Sequence, residues 1–294
     1  MVTDEKVWRP DNLNDAWALS NRFSDQYCFV SGGTWLRTQW EAGNKKVAPQ
    51  LISLDNVVEL NGGIYLSDGE IVIGAFASLA SVIKSTLMKK KAPLIVKACQ
   101  NIAAPSIRNQ ATLGGNLLSR VGDAIPALLV LDAKLNWFDG EEIVTEPLED
   151  WLISEGVSKR ILVSITIREH PVVPSDMQNE FSFYLKIGRR ETFIPSVVTV
   201  AGKGIYDSCA DTFQKVSLVV GGGSIVPTRL KRAEVVLENQ LFSKDTLQDV
   251  YTHVREEYKP IGDAFSSALY KNKVAANLIV SELYRLEVAR HASK

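Results

Sequence analysis

The sequence predicts an α+β protein, and three observations lead to this class. Apolar residues recur at the spacing of one helix face over residues 79–87 and 247–254. Over residues 181–185 they alternate with other residues, as in a strand. The last third of the chain gives strands near 197–200 and 216–220, and then only helices. Strands and helices that are grouped in this way are typical of the α+β class.

The N-terminal part mixes short strands with helices, and Asn12 is the predicted N-cap of the first helix. Ser78 is expected to cap a later helix that ends at three lysines, and Pro93 to open the next one. The predicted elements are a helix over about 12–25, a strand over 27–30, a strand or turn edge over 49–54, a hairpin over 65–73, a helix over 78–91, a helix over about 93–100 and a long loop over 101–116.

The middle of the chain carries a hairpin and a domain border. Asp139-Gly140 predicts a two-residue hairpin turn. Residues 161–167 predict a strand with one strongly apolar face, and residues 268–290 a long terminal helix. Pro171 and Pro174 predict a domain border at residue 175.

Composition excludes several classes of function. The formal net charge of -1 argues against nucleic acid as the main partner. No apolar run approaches the roughly 20 residues that span a bilayer. The acidic, polar N-terminus does not resemble a signal peptide. Three scattered cysteines, at positions 28, 99 and 209, form no metal-ligand pattern, so we expect no metal site and a reducing, cytoplasmic location.

Two loops with paired glycines are the candidate binding elements. The first is Ser31-Gly32-Gly33-Thr34, and the second is Thr112-Leu113-Gly114-Gly115-Asn116. Without Cβ atoms, backbone N–H groups can converge on an anion such as a phosphate. A pair of tight turns is the alternative. A strand followed by a glycine loop is also typical of a dinucleotide-binding (Rossmann) fold. The first loop lacks the GxGxxG spacing of that fold, so the Rossmann interpretation is weak.

Isolated polar residues allow two interpretations. Asp123 either caps the helix that follows it or accepts a hydrogen bond from a ribose or flavin group. His170, His253 and His291 have no partner pattern and are expected at the surface. We therefore predict no catalytic acid–base pair.

Several motifs together resemble one family. The segments are 29–36, 107–117, 123–128, 184–190 and 221–229, of which 107–117 (IRNQATLGGNL) is the most specific. They resemble the FAD-binding medium subunits of molybdenum hydroxylases, the family of the xanthine dehydrogenase and carbon monoxide dehydrogenase flavoproteins. The resemblance covers nearly the whole chain.

The resemblance implies a two-subdomain FAD-binding fold of the vanillyl-alcohol oxidase type, followed by a small C-terminal domain of a sheet and helices. The implied regions are 1–56 and 57–175 for the two FAD-binding subdomains and 176–294 for the C-terminal domain. FAD is expected between the subdomains. Trp35 stands where the family has a small or polar residue, so only its main chain is expected to contact the cofactor.

The resemblance also implies the residues that bind FAD non-covalently. N–H groups of residues 31–35 and 114–116 would hold the pyrophosphate, and Asp123 would accept from ribityl or adenosine hydroxyls. Lys186 would lie beside the flavin N1–C2=O edge, unless it forms a surface ion pair, and Leu162 would touch the cofactor, unless it belongs to the core. The full set is Cys28, Phe29, Val30, Ser31, Gly32, Gly33, Thr34, Trp35, Ile102, Ala111, Thr112, Gly114, Gly115, Asn116, Leu118, Asp123, Leu162 and Lys186.

The implied activity is electron transfer. A partner large subunit with molybdopterin would oxidise the substrate, and a partner small subunit would carry two [2Fe-2S] clusters. FAD in this chain would collect their electrons and reduce NAD+. Two other interpretations stay open: a self-contained flavin oxidase or reductase of the same wider fold, and a non-enzymatic nucleotide-binding or assembly subunit.

Overall fold

A computed structural model describes residues 5–154, 159–169, 178–188, 196–207, 209–223 and 225–292. The chain forms two compact units. The first unit comprises residues 1–119 and 132–169, and the second comprises residues 120–131 and 170–294. Pro171, Pro174 and the border at 175 lie outside the described residues. The division at residue 56 stays a prediction.

A small parallel sheet opens the first unit, with strands in the order β1-β3-β2. Asn12 caps helix α1 as predicted, because its side chain accepts a hydrogen bond from the N–H of Asp15. Leu13 and Ala16 bury the inner face of this helix against Ile52. Helix α2 was not predicted. The elements are β1 Lys6–Trp8, α1 Leu13–Phe23, β2 Tyr27–Val30, α2 Thr34–Glu41 and β3 Gln50–Ser53.

A five-stranded antiparallel sheet completes the first unit in the order β4-β5-β8-β6-β7. A 3-10 helix over Val58–Asn61 precedes it. The strand predicted over 161–167 is confirmed as β8, and Leu162 and Thr166 on its second face are buried as well as Ile165. A central strand has both faces available for cover. The strands are β4 Ile64–Ser67, β5 Glu70–Gly74, β6 Lys134–Phe138, β7 Ile143–Pro147 and β8 Ile161–Arg168.

The hairpin between β6 and β7 has a longer turn than predicted. Phe138 pairs with Ile143, so four residues form the turn instead of two. Asp139 sets this length, because its side-chain oxygen accepts hydrogen bonds from the N–H groups of Glu141 and Glu142.

The predicted helix over 78–91 is two helices. Ser85 leaves the helical conformation and accepts a hydrogen bond from the N–H of Met88, so it caps the second one. The predicted long loop is also wrong: Pro105 opens one helix and Thr112 caps another. The helices are α3 Leu79–Lys84, α4 Thr86–Lys91, α5 Pro93–Gln100, α6 Pro105–Gln110, α7 Leu113–Leu118, α8 Ile125–Leu129 of the second unit and α9 Leu148–Ile153.

The second unit has the predicted small sheet followed by helices. Its antiparallel strands lie in the order β12-β11-β10-β9. Val200 and Leu218 of the sheet are fully buried in one core cluster with Val250 and Ile279 of the helices. The elements are β9 Gln178–Gly188, β10 Ser196–Asp207, β11 Thr212–Gly222, β12 Ile225–Arg229, α10 Lys231–Asn239, α11 Lys244–Glu257 and α12 Ala268–Ala292.

Within the described ranges, no helix combines the length and the apolarity that a membrane crossing requires. The same part of the chain contains no cluster of three or more His, Cys, Asp or Glu side chains that could hold a metal ion.

Candidate cofactor-binding site

The two glycine loops lie side by side in the first unit. The Ser31 and Thr112 hydroxyl oxygens are 3.1 Å apart, although 81 residues separate them in sequence. A Cβ on Gly32 would lie 1.9 Å from the carbonyl oxygen of Gln110, so the two backbones touch where the loops meet. The first loop can therefore approach the second only with glycine at this position.

The first loop leads directly into an uncapped helix. Gly33 is the N-cap of α2 in the left-handed conformation, with φ +63, and no side chain caps this end. The first bond of this helix runs from the N–H of Arg37 to the oxygen of Gly33. The N–H groups of residues 32–36 donate to no acceptor within the part of the chain that the structure describes. Such a helix start, with free donors and the positive end of the dipole, is a site for an anion.

The second loop is built differently, since its glycines belong to the first turn of α7. The Thr112 hydroxyl accepts a hydrogen bond from the N–H of Gly115 at 3.0 Å. The N–H of Gly114 donates to the oxygen of Ala75, and that of Asn116 to the oxygen of Thr112. The N–H groups of residues 114–116, which were predicted to hold the pyrophosphate together with those of the first loop, thus have acceptors inside the chain. The free donors are those of the first loop.

Gly114 allows α7 to pack against the chain that leaves β5. A Cβ there would lie 2.7 Å from the oxygen of Ala75. A Cβ on Gly115 would lie 2.8 Å from the Thr112 hydroxyl oxygen and 3.5 Å from that of Ser31. Gly114 is therefore required by backbone packing, whereas Gly115 borders only the two hydroxyls.

The apolar residues of the predicted site differ in exposure. Leu118 is 46% exposed and Trp35 is 40% exposed, so both offer apolar surface next to a glycine loop. Ile102 and Ala111 are half-buried. Leu162 is only 4% exposed, and core packing is sufficient to explain it.

The strand before the first loop contributes Cys28, Phe29 and Val30, all half-buried in β2. Burial raises the pKa of the Cys28 thiol, and the sulfur donates to the oxygen of Phe29 at 3.4 Å. The thiol therefore stays protonated near neutral pH and is a poor nucleophile.

Asp123 and Lys186 meet in the second unit. The Lys186 ammonium lies 2.8 Å from one carboxylate oxygen of Asp123, and the Ser196 hydroxyl donates to the other at 2.5 Å. Asp123 does not cap a helix, since Ala124 is the N-cap of α8. Lys186 forms the ion pair that the sequence left open, but its side chain is only 10% exposed. No spacing in the sequence pointed to Ser196.

The remaining polar candidates contribute little. The side chains of His170 and His291 and residues Arg189 and Arg190 lie outside the described residues. His253 is partly buried, with its ring nitrogen 3.5 Å from a Glu256 carboxylate oxygen.

A family model described as the FAD binding domain in molybdopterin dehydrogenase matches residues 3–168. The chain belongs to this family. A second model, the CO dehydrogenase flavoprotein C-terminal domain, matches residues 184–286. The resemblance seen in the glycine loops is therefore confirmed, as is the α+β architecture of an FAD-binding domain followed by a C-terminal domain.

Relatives of this FAD-binding family match most of the chain. The xanthine dehydrogenase FAD-binding subunit of Escherichia coli O157:H7 is 24% identical over 79% of this chain and 78% of its own. The nicotinate dehydrogenase FAD-subunit of Eubacterium barkeri is 24% identical over 97% and 98%. The structure of carbon monoxide dehydrogenase from Hydrogenophaga pseudoflava has a TM-score of 0.83 at 19% identity, covering 94% and 95%. This last likeness shows that the fold is shared.

The first loop fits the pyrophosphate of the FAD that this family binds. Gly32 and Gly33 leave the backbone open, the N–H groups that follow have no acceptor in the described chain, and the Ser31 and Thr112 hydroxyls stand beside them. These are the donors that a phosphate anion requires.

Non-covalent binding is the first testable expectation. Cys28 is the only cysteine near a glycine loop, and its raised pKa disfavours the thiolate needed for attachment. Acid precipitation of the flavin-loaded protein should therefore release all yellow colour into the supernatant. Colour that stays on the washed precipitate, and that a Cys28→Ser variant loses, would contradict this expectation.

Proposed function

We propose that this chain is the FAD-carrying electron-transfer subunit of a molybdenum hydroxylase. One observation carries the proposal: in a member of this FAD-binding family, the start of α2 presents uncapped N–H groups beside the Thr112 hydroxyl. A dinucleotide with a pyrophosphate is the ligand that such a site favours.

The residues of the first unit have separate roles in this proposal. N–H groups of the first loop bind the pyrophosphate, and the Ser31–Thr112 pair adds one hydroxyl donor, since one of the two hydroxyls donates to the other. Gly114 holds α7 close to Ala75 and so fixes the position of Thr112. Leu118 offers apolar surface to a ring of the cofactor. Asp123, Leu162 and Lys186 remain predicted contacts of the same cofactor.

FAD, when bound, supplies the redox chemistry by accepting electrons singly and donating them as a pair. We propose a partner small subunit with [2Fe-2S] clusters as the electron donor and NAD+ as the acceptor. Three dispersed cysteines cannot supply four ligands to each cluster, which supports a separate iron–sulfur subunit. Relatives are named as FAD-binding subunits, and the family model is described as a domain of molybdopterin dehydrogenase; both support a complex that also contains a molybdopterin-binding large subunit. None of the three cysteines, all of which lie in the described ranges, forms a disulfide, which supports a cytoplasmic location.

Anaerobic reduction tests this function. NADH should bleach the flavin of the purified subunit, because FAD exchanges hydride with a nicotinamide in either direction. Xanthine or an aldehyde should leave the flavin oxidised, since we predict no acid–base pair that would activate a carbon centre. Absorbance of the yellow band measures both reactions in one cuvette.

Three other outcomes would change the proposal. Bleaching by an organic substrate with no partner subunit present would support a self-contained flavin oxidase. No reduction by NADH, with reduction by a one-electron donor, would keep the electron-transfer role and replace NAD+ by oxygen or a quinone. A protein that binds nucleotide but whose flavin is never reduced would support the non-enzymatic interpretation.

A further inference from the structure

We propose that Ser196 and Tyr184 are positioning residues that fix Asp123 for cofactor binding. The proposal rests on the proposed function, in which Asp123 accepts a hydrogen bond from a hydroxyl of FAD. All three residues belong to the second unit.

Both oxygens of the Asp123 carboxylate are engaged. Lys186 lies 2.8 Å from Oδ2, and the Ser196 hydroxyl donates to Oδ1 at 2.5 Å. The side chains of Asp123 and Lys186 are 13% and 10% exposed, so water competes little for these contacts. A carboxylate held at both oxygens cannot rotate, and each oxygen keeps a lone pair for a ligand hydroxyl.

Tyr184 fixes the main chain of the same residue. Its hydroxyl donates to the backbone oxygen of Asp123 at 2.9 Å, and the tyrosine is only 1% exposed. Side chain and main chain of Asp123 are thus held by different residues of β9 and β10. Residues 120–131 belong to the second unit, whereas the residues before and after them in sequence belong to the first. The hydrogen bonds to Asp123 therefore hold this segment to the sheet of the second unit.

Ser196 is itself held in place. Its backbone oxygen accepts a hydrogen bond from the N–H of Gly223 at 2.9 Å. The pairing of β9 with β10 shifts register between Ser196 and Val198, which is the kind of irregularity that redirects a side chain out of the regular alternation. The hydroxyl of Ser196 is therefore an oriented donor to the carboxylate.

The ion pair between Asp123 and Lys186 favours a neutral hydroxyl over a charged group as the ligand. Lys186 balances the charge of Asp123, so the pair offers no net charge to a cofactor. What it offers is a fixed acceptor, which suits a ribityl or ribose hydroxyl. Loss of the Ser196 hydroxyl would leave Oδ1 without its donor and free the carboxylate to turn toward the ammonium.

The test compares two serines of one sheet. Ser196→Ala removes the donor to Asp123, and Ser196→Thr keeps a hydroxyl. Ser217→Ala is the matched control, since Ser217 on β11 is 4% exposed and its hydroxyl has no hydrogen-bond partner among the described residues. Tyr184→Phe removes the main-chain contact. Each variant is measured for FAD affinity by titration of the apoprotein, and for amide hydrogen exchange over 120–131 without flavin.

We expect Ser196→Ala to weaken FAD binding about tenfold and to speed exchange in 120–131 about tenfold, on the scale of one lost charge-assisted hydrogen bond. Ser196→Thr should restore most of the affinity, Ser217→Ala should change neither quantity, and Tyr184→Phe should speed exchange. Equal behaviour of Ser196→Ala and Ser217→Ala would overturn the proposal, as would faster exchange with unchanged affinity. A wild-type protein that fails to bind FAD would instead refute the proposed function, and exchange would still report on the contacts to Asp123.

Discussion

Replacing Gly32 by alanine is expected to weaken FAD binding about 100-fold or more, which corresponds to about 2.7 kcal/mol. The new Cβ would lie 1.9 Å from the oxygen of Gln110 and 2.7 Å from its carbonyl carbon. Both are backbone atoms, so no side chain can move aside and the two loops must separate. The free N–H groups of the first loop would then move away from the Thr112 hydroxyl. Flavin content after purification and titration of the apoprotein measure the loss.

Gly62→Ala is the matched control for this substitution. Gly62 has a helical backbone conformation, and among the described residues the only non-neighbouring atom within 4 Å of an added Cβ is the oxygen of Glu59, at 4.0 Å. This variant should bind FAD as the wild type does. Because the two loops must separate, the free energy of unfolding of Gly32→Ala should be about 1–3 kcal/mol lower than that of the wild type, which is the usual effect of overpacking. If Gly32→Ala and Gly62→Ala bound FAD equally well, contact between the two loops would not be needed for the site.

Gly115→Asp is expected to abolish FAD binding while the protein stays folded. Gly115 is the third residue of α7 after the Thr112 cap. A carboxylate at this position stabilises a helix, because its negative charge interacts favourably with the positive end of the helix dipole. Among the described residues, the new Cβ would approach only the Thr112 and Ser31 hydroxyl oxygens. The same carboxylate would stand next to the donors that we assign to the pyrophosphate and would repel it. We expect a loss of about 100-fold or more in affinity with little change in melting temperature.

Gly115→Asn separates the charge from the shape. Asparagine has nearly the size of aspartate, so the steric effect on Thr112 is the same in both variants. The asparagine variant should keep about tenfold more affinity for FAD than the aspartate variant, and the difference should shrink at high salt because the repulsion is screened. Equal affinities, independent of salt, would show that no phosphate binds near residue 115.

Local signals in the sequence predicted much of the fold. Asn12 before an apolar helix face, the turn residues between Ile64 and Gly74, and the terminal helix all have causes within a few residues of the element. Helices α2 and α7 were missed because paired glycines are typical of turns, whereas both pairs here lie at helix starts. Thr112, with apolar residues at 113 and 117, was a usable sign of α7.

The features that the sequence did not predict depend on contacts between segments that are distant in sequence. The approach of Gly32 to Gln110, and the hydrogen bond from Ser196 to Asp123 across 73 residues, leave no periodic trace in the sequence. The sequence pointed to both glycine loops but could not show that only the first has free N–H groups. That distinction depends on acceptors such as Ala75, which are far from the loop in sequence.

The central claim is that the first loop binds the pyrophosphate of FAD. A comparison of the affinities for two flavins tests it most directly. The apoprotein is titrated with FAD and with riboflavin, which has the same isoalloxazine and ribityl groups but no phosphate. We predict that FAD binds at least about 100-fold more tightly, and that Gly32→Ala removes most of this difference. Equal affinity for FAD and riboflavin in the wild-type protein would contradict the claim.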